Sequence, residues 1–134
     1  MVIGGQAVLL YGEPRLTKDI DDIKESMMRR YAQVIRVRPK MFEEYERLHR
    51  AVWPEVLRMI RECNIRSYSI FFRDELLFSY FEYVGLDYAA DMAKMAADPK
   101  TREWWKLTDP CQQPVETAAK DEWWAPMREL FHSD

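Results

Sequence analysis

Two β-rich stretches dominated by aromatic residues, 66–72 and 76–83, are separated by only Arg73-Asp74-Glu75. A polar trio is too short for a crossover, so the two runs must turn back on each other as an antiparallel hairpin. Tyr68, Ile70 and Phe72 alternate with Ser67, Ser69 and Phe71, and 76–83 continues the aromatic pattern. A hairpin this apolar cannot stand alone in water. It needs a third strand and a covering layer.

The flanking sequence supplies both. Tyr31-Ala32-Gln33-Val34-Ile35-Arg36-Val37 is β-rich and stops at Pro39. From about 41 to 63 the period becomes helical, with Phe42, Tyr45, Leu48, His49, Val52, Val56, Met59, Ile60 and Cys63 recurring at three- and four-residue steps. Pro54 lacks a donor and must kink or restart that helix. After the hairpin, Asp87 suits the N-cap of a helix to about Ala97, with Tyr88, Met92 and Met95 as its stripe. Asp98-Pro99 opens a short helix bearing Trp104 and Trp105. Residues 108–122 read as an ordered loop, and 127–132 as a last strand.

The order β-α-β-β-α-β predicts an α+β, ferredoxin-like domain: an antiparallel sheet with helices on one face. Aromatic residues on both faces of the sheet would leave a large apolar patch if one face stayed bare, so two sheets packed face to face, in a homodimer, are expected. The domain spans 27–134. Residues 1–26, with Gly4-Gly5, Gly12-Glu13-Pro14 and the acidic run 18–22, read as an N-terminal extension, with a short helix over 17–29 capped by Thr17.

Net charge is −3 with no basic stripe, which argues against nucleic acid as a partner. No run nears the ~20 apolar residues of a membrane span, and Ala7–Tyr11 is too short for a signal-peptide core. Cys63 and Cys111 fit no metal spacing and are expected as reduced thiols in a cytoplasmic protein.

His49 and Tyr45 carry the candidate chemistry. Four residues apart on a helix, they share one face about 6 Å apart, and an imidazole is the natural proton-transfer group near neutral pH. Among five Trp, the adjacent pair Trp104-Trp105 suits a pocket wall, because neighbouring rings point about 100° apart and one can face a cavity. Aromatic walls match the C–H face of a pyranose. Tyr68, at the start of its strand, can join them. The glutamates at 43, 44, 46 and 55 read as helix-surface charges, and no phosphate loop, HExxH or serine triad occurs.

The run Glu43-Glu44-Tyr45-Glu46-Arg47-Leu48-His49-Arg50-Ala51-Val52-Trp53-Pro54-Glu55 resembles the E-E-Y-x-x-x-H-x-x-x-W-P-E motif of the L-rhamnose mutarotases. Trp104-Trp105-Lys106, Tyr68 and the ending Glu129-Leu130-Phe131-His132 are similar to further features of that family, so the resemblance covers about 28–134. Arg50-Ala51 departs from the Asn-Pro that many members carry. The resemblance implies a ferredoxin-like fold dimerised into an α/β barrel, with His49 as proton donor and Tyr45, Tyr68, Trp104 and Trp105 as sugar-binding residues. It implies mutarotation of L-rhamnose. Ring opening and closure need only proton transfer, so no metal or redox cofactor is expected, and Tyr45, one turn from His49, is expected to orient the anomeric hydroxyl or relay its proton. No carboxylate is aimed at the site to serve as base. Two other readings stay open: a small monooxygenase or haem-binding enzyme on the same dimeric barrel, with His49 as axial ligand, and a non-catalytic sugar-binding module.

Overall fold

The computed structural model describes residues 28–134. The expected extension, and the helix expected over 17–29 except at its end, lie outside the described residues; Arg29 already belongs to the first strand. The elements are β1 (Arg29–Val37), α1 (Phe42–His49), α2 (Pro54–Glu62), β2 (Ile65–Arg73), β3 (Leu76–Tyr83), α3 (Tyr88–Ala97), α4 (Pro99–Thr108), β4 (Gln112–Gln113) and β5 (Ala125–Met127), with 3-10 turns at Pro39–Met41 and Asp109–Cys111.

Every neighbouring pair of strands is antiparallel. The sheet order is β2-β3-β1-β4, with β5 also pairing β1. Since β3 lies between β1 and β2 and runs against both, β1 and β2 are parallel across it. That is the split βαβ of the ferredoxin-like arrangement.

Local sequence explains most of the boundaries. Pro54 takes the first position of α2, where its missing N–H costs nothing, and forces Trp53 into extended backbone (φ −61°, ψ 136°). The helical stripe 41–63 is therefore two helices joined at 50–53. The Asp87 side chain caps α3 by accepting from the Ala90 amide, and Asp98 caps α4 by accepting from the Thr101 amide at 2.9 Å and the Thr101 hydroxyl at 2.8 Å. The hairpin turns on Asp74 (φ 51°) and Glu75 (φ 66°), with Arg73 paired to Leu76. Positive φ at both central residues is the type I′ signature.

The far edge of the sheet differs from expectation. The segment 108–122 contains β4, and the last strand is Ala125–Met127 instead of 127–132. Both short strands share the free edge of β1: β4 opposite Arg36 and Val37, β5 opposite 32–34. Pro126 is tolerated because it sits on an edge strand. The chain past Met127 keeps the same register without a ladder: Glu129 arrives opposite Arg30, which donates to it through Nε and Nη2, both at 3.1 Å.

The core is divided. Ile35, Val37, Tyr45, Leu77 and Cys111 pack at one end of the sheet. Ile65, Phe81 and Tyr83 pack at the other, with Tyr31, Tyr88, Met92 and Met95. Leu48, Val56 and Trp104 join the helices to one another. Cys63 and Cys111 are free, buried thiols.

Candidate functional site

The first helix presents Tyr45 and His49 side by side, their ring centroids 4.2 Å apart. Trp104 of α4 meets the imidazole edge-on at 5.4 Å, and Trp53 meets Trp104 the same way at 5.2 Å. Trp104 is buried and packs against Leu48 and Val56, so helix–helix contact fixes its ring. Trp105, one position on, is 36% exposed, and no ring contact among the described residues joins it to this cluster. The structure thus brings Tyr45, His49 and Trp104 together and leaves Trp105 on the flank.

Tyr68 reaches the site through an irregularity. The register of β2 against β3 shifts by one residue between Arg66 and Ser69, and Ser67 has φ 52°. This is a β-bulge, in which Ser67 and Tyr68 together oppose Phe81. Tyr68 packs edge-on against Phe81 at 5.7 Å. Burial pushes its phenol up to about 12, while the residue as a whole stays 44% exposed at the sheet edge. Its phenol also contributes, after burial, to holding the Tyr45 phenol above its ordinary range.

The protonation states follow from geometry. His49 Nδ1 lies 2.8 Å from the Tyr45 carbonyl oxygen, an acceptor only, so Nδ1 carries the proton and the lone pair sits on Nε2. Burial lowers the imidazole pKa, outweighing that hydrogen bond, so the ring is neutral at pH 7. Burial also pushes the Tyr45 phenol well above its ordinary range. Tyr45 is a hydrogen-bond donor that keeps its proton.

The sequence reading missed Gln112 and Trp123. Gln112, on β4 and 3% exposed, donates from Nε2 to the Tyr45 hydroxyl oxygen at 3.1 Å. Trp123 donates from Nε1 to Gln112 Oε1 at 2.8 Å. An indole N–H can only donate, so it fixes which end of the amide faces Tyr45. The Tyr45 oxygen is thereby an acceptor from Gln112, and its own O–H is left to point elsewhere. Nothing in the Gln-Gln-Pro context marks this role, because the contact is formed only when β4 docks on β1. Trp53, at the end of the helical motif, was likewise given no part. Glu44 and Glu46 pair with Arg47 and Arg50 on the outer surface, as their spacing suggested.

No group of three or more His, Cys, Asp or Glu among the described residues is placed to hold a metal ion, and no helix there is long and apolar enough to cross a membrane.

Fold and site together define a ferredoxin-like domain with an imidazole and a phenol set among aromatic rings between helices and sheet. The family model for L-rhamnose mutarotase matches residues 30–133. The L-rhamnose mutarotase of Opitutus terrae is 32% identical over 113 residues, 80% of this chain and all of the relative. The chain belongs to the L-rhamnose mutarotase family. In structure it is similar to the L-rhamnose mutarotase of Formosa agariphila (TM-score 0.61, 20% identity, 79% of this chain and 99% of that one). It also shares its fold with the tetracenomycin F2 cyclase of Streptomyces glaucescens (TM-score 0.55, 17% identity, 78% and 95%).

Proposed function

We propose that this protein is an isomerase that interconverts the α and β anomers of L-rhamnopyranose, with Tyr45, His49, Tyr68, Trp104 and Trp105 around the sugar. The observation that carries the chemistry is the lone pair on His49 Nε2, beside a phenol whose proton has no acceptor among the described residues. His49 Nε2 takes the proton of the anomeric hydroxyl. The C1–O5 bond breaks as the C1–O1 bond becomes a carbonyl, and the negative charge passes to O5. The Tyr45 hydroxyl donates a hydrogen bond to that oxygen, and the His49 imidazolium delivers its proton there. The open aldehyde rotates about C1–C2, and the same steps in reverse close the ring on the other face. One proton moves from O1 to O5 and back, the imidazole ends neutral, and no carboxylate base is required. His49 is thus base and proton donor in turn.

Acid–base help of this kind is worth about 10²–10⁴-fold. Saturation-transfer NMR of anomer exchange tests it: His49→Ala and His49→Asn lose that factor, and a folded variant exchanging at the wild-type rate removes His49 from the mechanism.

We also propose a homodimer through the sheet face away from the helices. Cross-strand neighbours Phe71, Phe78, Val34 and Ala125 form one apolar row there, and Ser69, Tyr80, Ala32 and Met127 the next. Arg66, Glu82 and Arg30 form a charged rim. Phe71 is 62% exposed in the single chain, and an apolar patch with a polar rim is the make-up of an interface. Sedimentation equilibrium gives twice the chain mass if this holds. Two free thiols support a cytoplasmic setting.

A further inference from the structure

The divided core has a polar patch where the clusters should meet. On the helix-facing side of β3, Leu77, Ser79, Phe81 and Tyr83 follow in order, with side chains about 7 Å apart. Leu77 packs with Tyr45. Phe81 packs with Tyr68. Ser79 lies between Leu77 and Phe81 along the strand. Ser79 is 3% exposed, and its hydroxyl has no hydrogen-bond partner among the described residues. Directly across the ladder stands Gln33 of β1. It shares the helix-facing side with Ile35 and Tyr31, and no hydrogen bond joins its amide to a described residue. The buried Ser79 hydroxyl is costly there unless something satisfies it, whereas Gln33 is half-buried and its amide is open to a partner. Valine or leucine at either position would close the core instead.

We propose that Gln33 and Ser79 are the polar floor of the sugar site and set its specificity, by hydrogen-bonding one ring hydroxyl of the pyranose that is turned toward the sheet. This rests on the sugar site proposed above. The substrates it selects are pyranoses with a hydroxyl at that ring position; analogues lacking it leave Ser79 and Gln33 unsatisfied beneath them. The aromatic rings grip the apolar side of the sugar and accept many epimers, whereas a hydroxyl and an amide fixed side by side on the sheet read one position.

The test is a cycle between protein and substrate. Wild type, Ser79→Ala and Gln33→Leu are each assayed by NMR anomer exchange on L-rhamnose and its 2-, 3- and 4-deoxy analogues, with calorimetric binding on the same panel. Wild type loses about three- to tenfold in kcat/KM on one deoxy sugar, the value of one hydrogen bond. Ser79→Ala loses the same factor on L-rhamnose and nothing more on that deoxy sugar. Without ligand, Ser79→Ala melts at or above the wild-type temperature, because it removes a hydroxyl that no described residue satisfies. The floor is overturned if both variants handle all four sugars as wild type does, if their losses are equal on every sugar, or if Ser79→Ala melts well below wild type. Should wild type bind L-rhamnose without exchanging its anomers, mutarotation fails alone and the binding panel still decides the floor.

Discussion

Replacing Gln112 with Leu isolates the link between the sheet edge and the site. The change removes two hydrogen bonds, the 3.1 Å bond to the Tyr45 hydroxyl and the 2.8 Å bond from the Trp123 indole. Trp123 is 40% exposed and can turn to water, so that loss is small. Tyr45 is 4% exposed, and its oxygen loses a buried donor. A buried polar group left unpaired costs about 1–3 kcal/mol, and the leucine recovers about 1 kcal/mol by burial in the same space. The net expectation is a loss of about 1–2 kcal/mol, read from the urea midpoint at unchanged slope. Catalysis falls further than stability explains, since the Tyr45 proton is no longer directed away from β4. Tyr45→Phe removes the same proton outright. In that background Gln112→Leu should cost no further turnover, giving a coupling of about 1 kcal/mol or more in the cycle. Additive losses in kcat/KM, or a Gln112→Leu protein with wild-type stability and exchange, refute the idea that β4 orients Tyr45.

The depressed His49 pKa sets two pH dependences. Turnover needs neutral Nε2, so kcat/KM in anomer exchange is flat at neutral pH and falls tenfold per unit only below a midpoint under 6.5; a midpoint above 6.5 contradicts the desolvated imidazole. The unfolded chain binds this proton more readily than the folded one, so His49 lowers stability as pH drops below 6.5 and until the lower folded pKa is passed, which denaturation of wild type against His49→Asn reads directly. Gly85→Ala should cost about 1–3 kcal/mol, because a Cβ there would collide with the Tyr83 hydroxyl, stand 2.7 Å from Asp91 Oδ2 and break their hydrogen bond; a melting temperature equal to wild type refutes it.

What could be read in the sequence were the features with a local cause. The four-residue step from Tyr45 to His49, the Asp87 and Asp98 caps and the polar break in the hairpin each act within one turn of chain. The features missed are all made by distant partners. A two-residue strand at Gln112 has no periodicity to detect; it exists because Arg36 and Val37 offer free backbone groups at the edge of β1. The same edge placed the last strand at 125–127 instead of 127–132, with Pro126 tolerated there because the strand is an edge. Ser79 was concealed by its neighbours. In Leu76-Leu77-Phe78-Ser79-Tyr80-Phe81 nearly every residue is apolar, so alternation does not reveal which face the serine takes, and register with β1 was needed to place it.

The bulge at Ser67 shows how one residue's backbone can serve the site. Take Ser67 out, and Ile65, Tyr68, Ile70 and Phe72 still fall on one face of a regular strand. The extra residue therefore does not choose the face of Tyr68; it bends the strand and sets where along the sheet the phenol arrives. The left-handed backbone of Ser67 (φ 52°) costs about 1–2 kcal/mol for a residue with a Cβ. Ser67→Gly removes that cost but adds chain entropy, so it should stabilise by about 0.5–1 kcal/mol and leave exchange unchanged. Deleting Ser67 should keep the fold and lower kcat/KM, because Tyr68 moves relative to Tyr45 and Ser79 while the core pairs Ile65–Tyr83 and Phe72–Leu77 can re-form. If the deletion variant folds and turns over L-rhamnose like wild type, the bulge does not position Tyr68, and the strained serine has no part in the site.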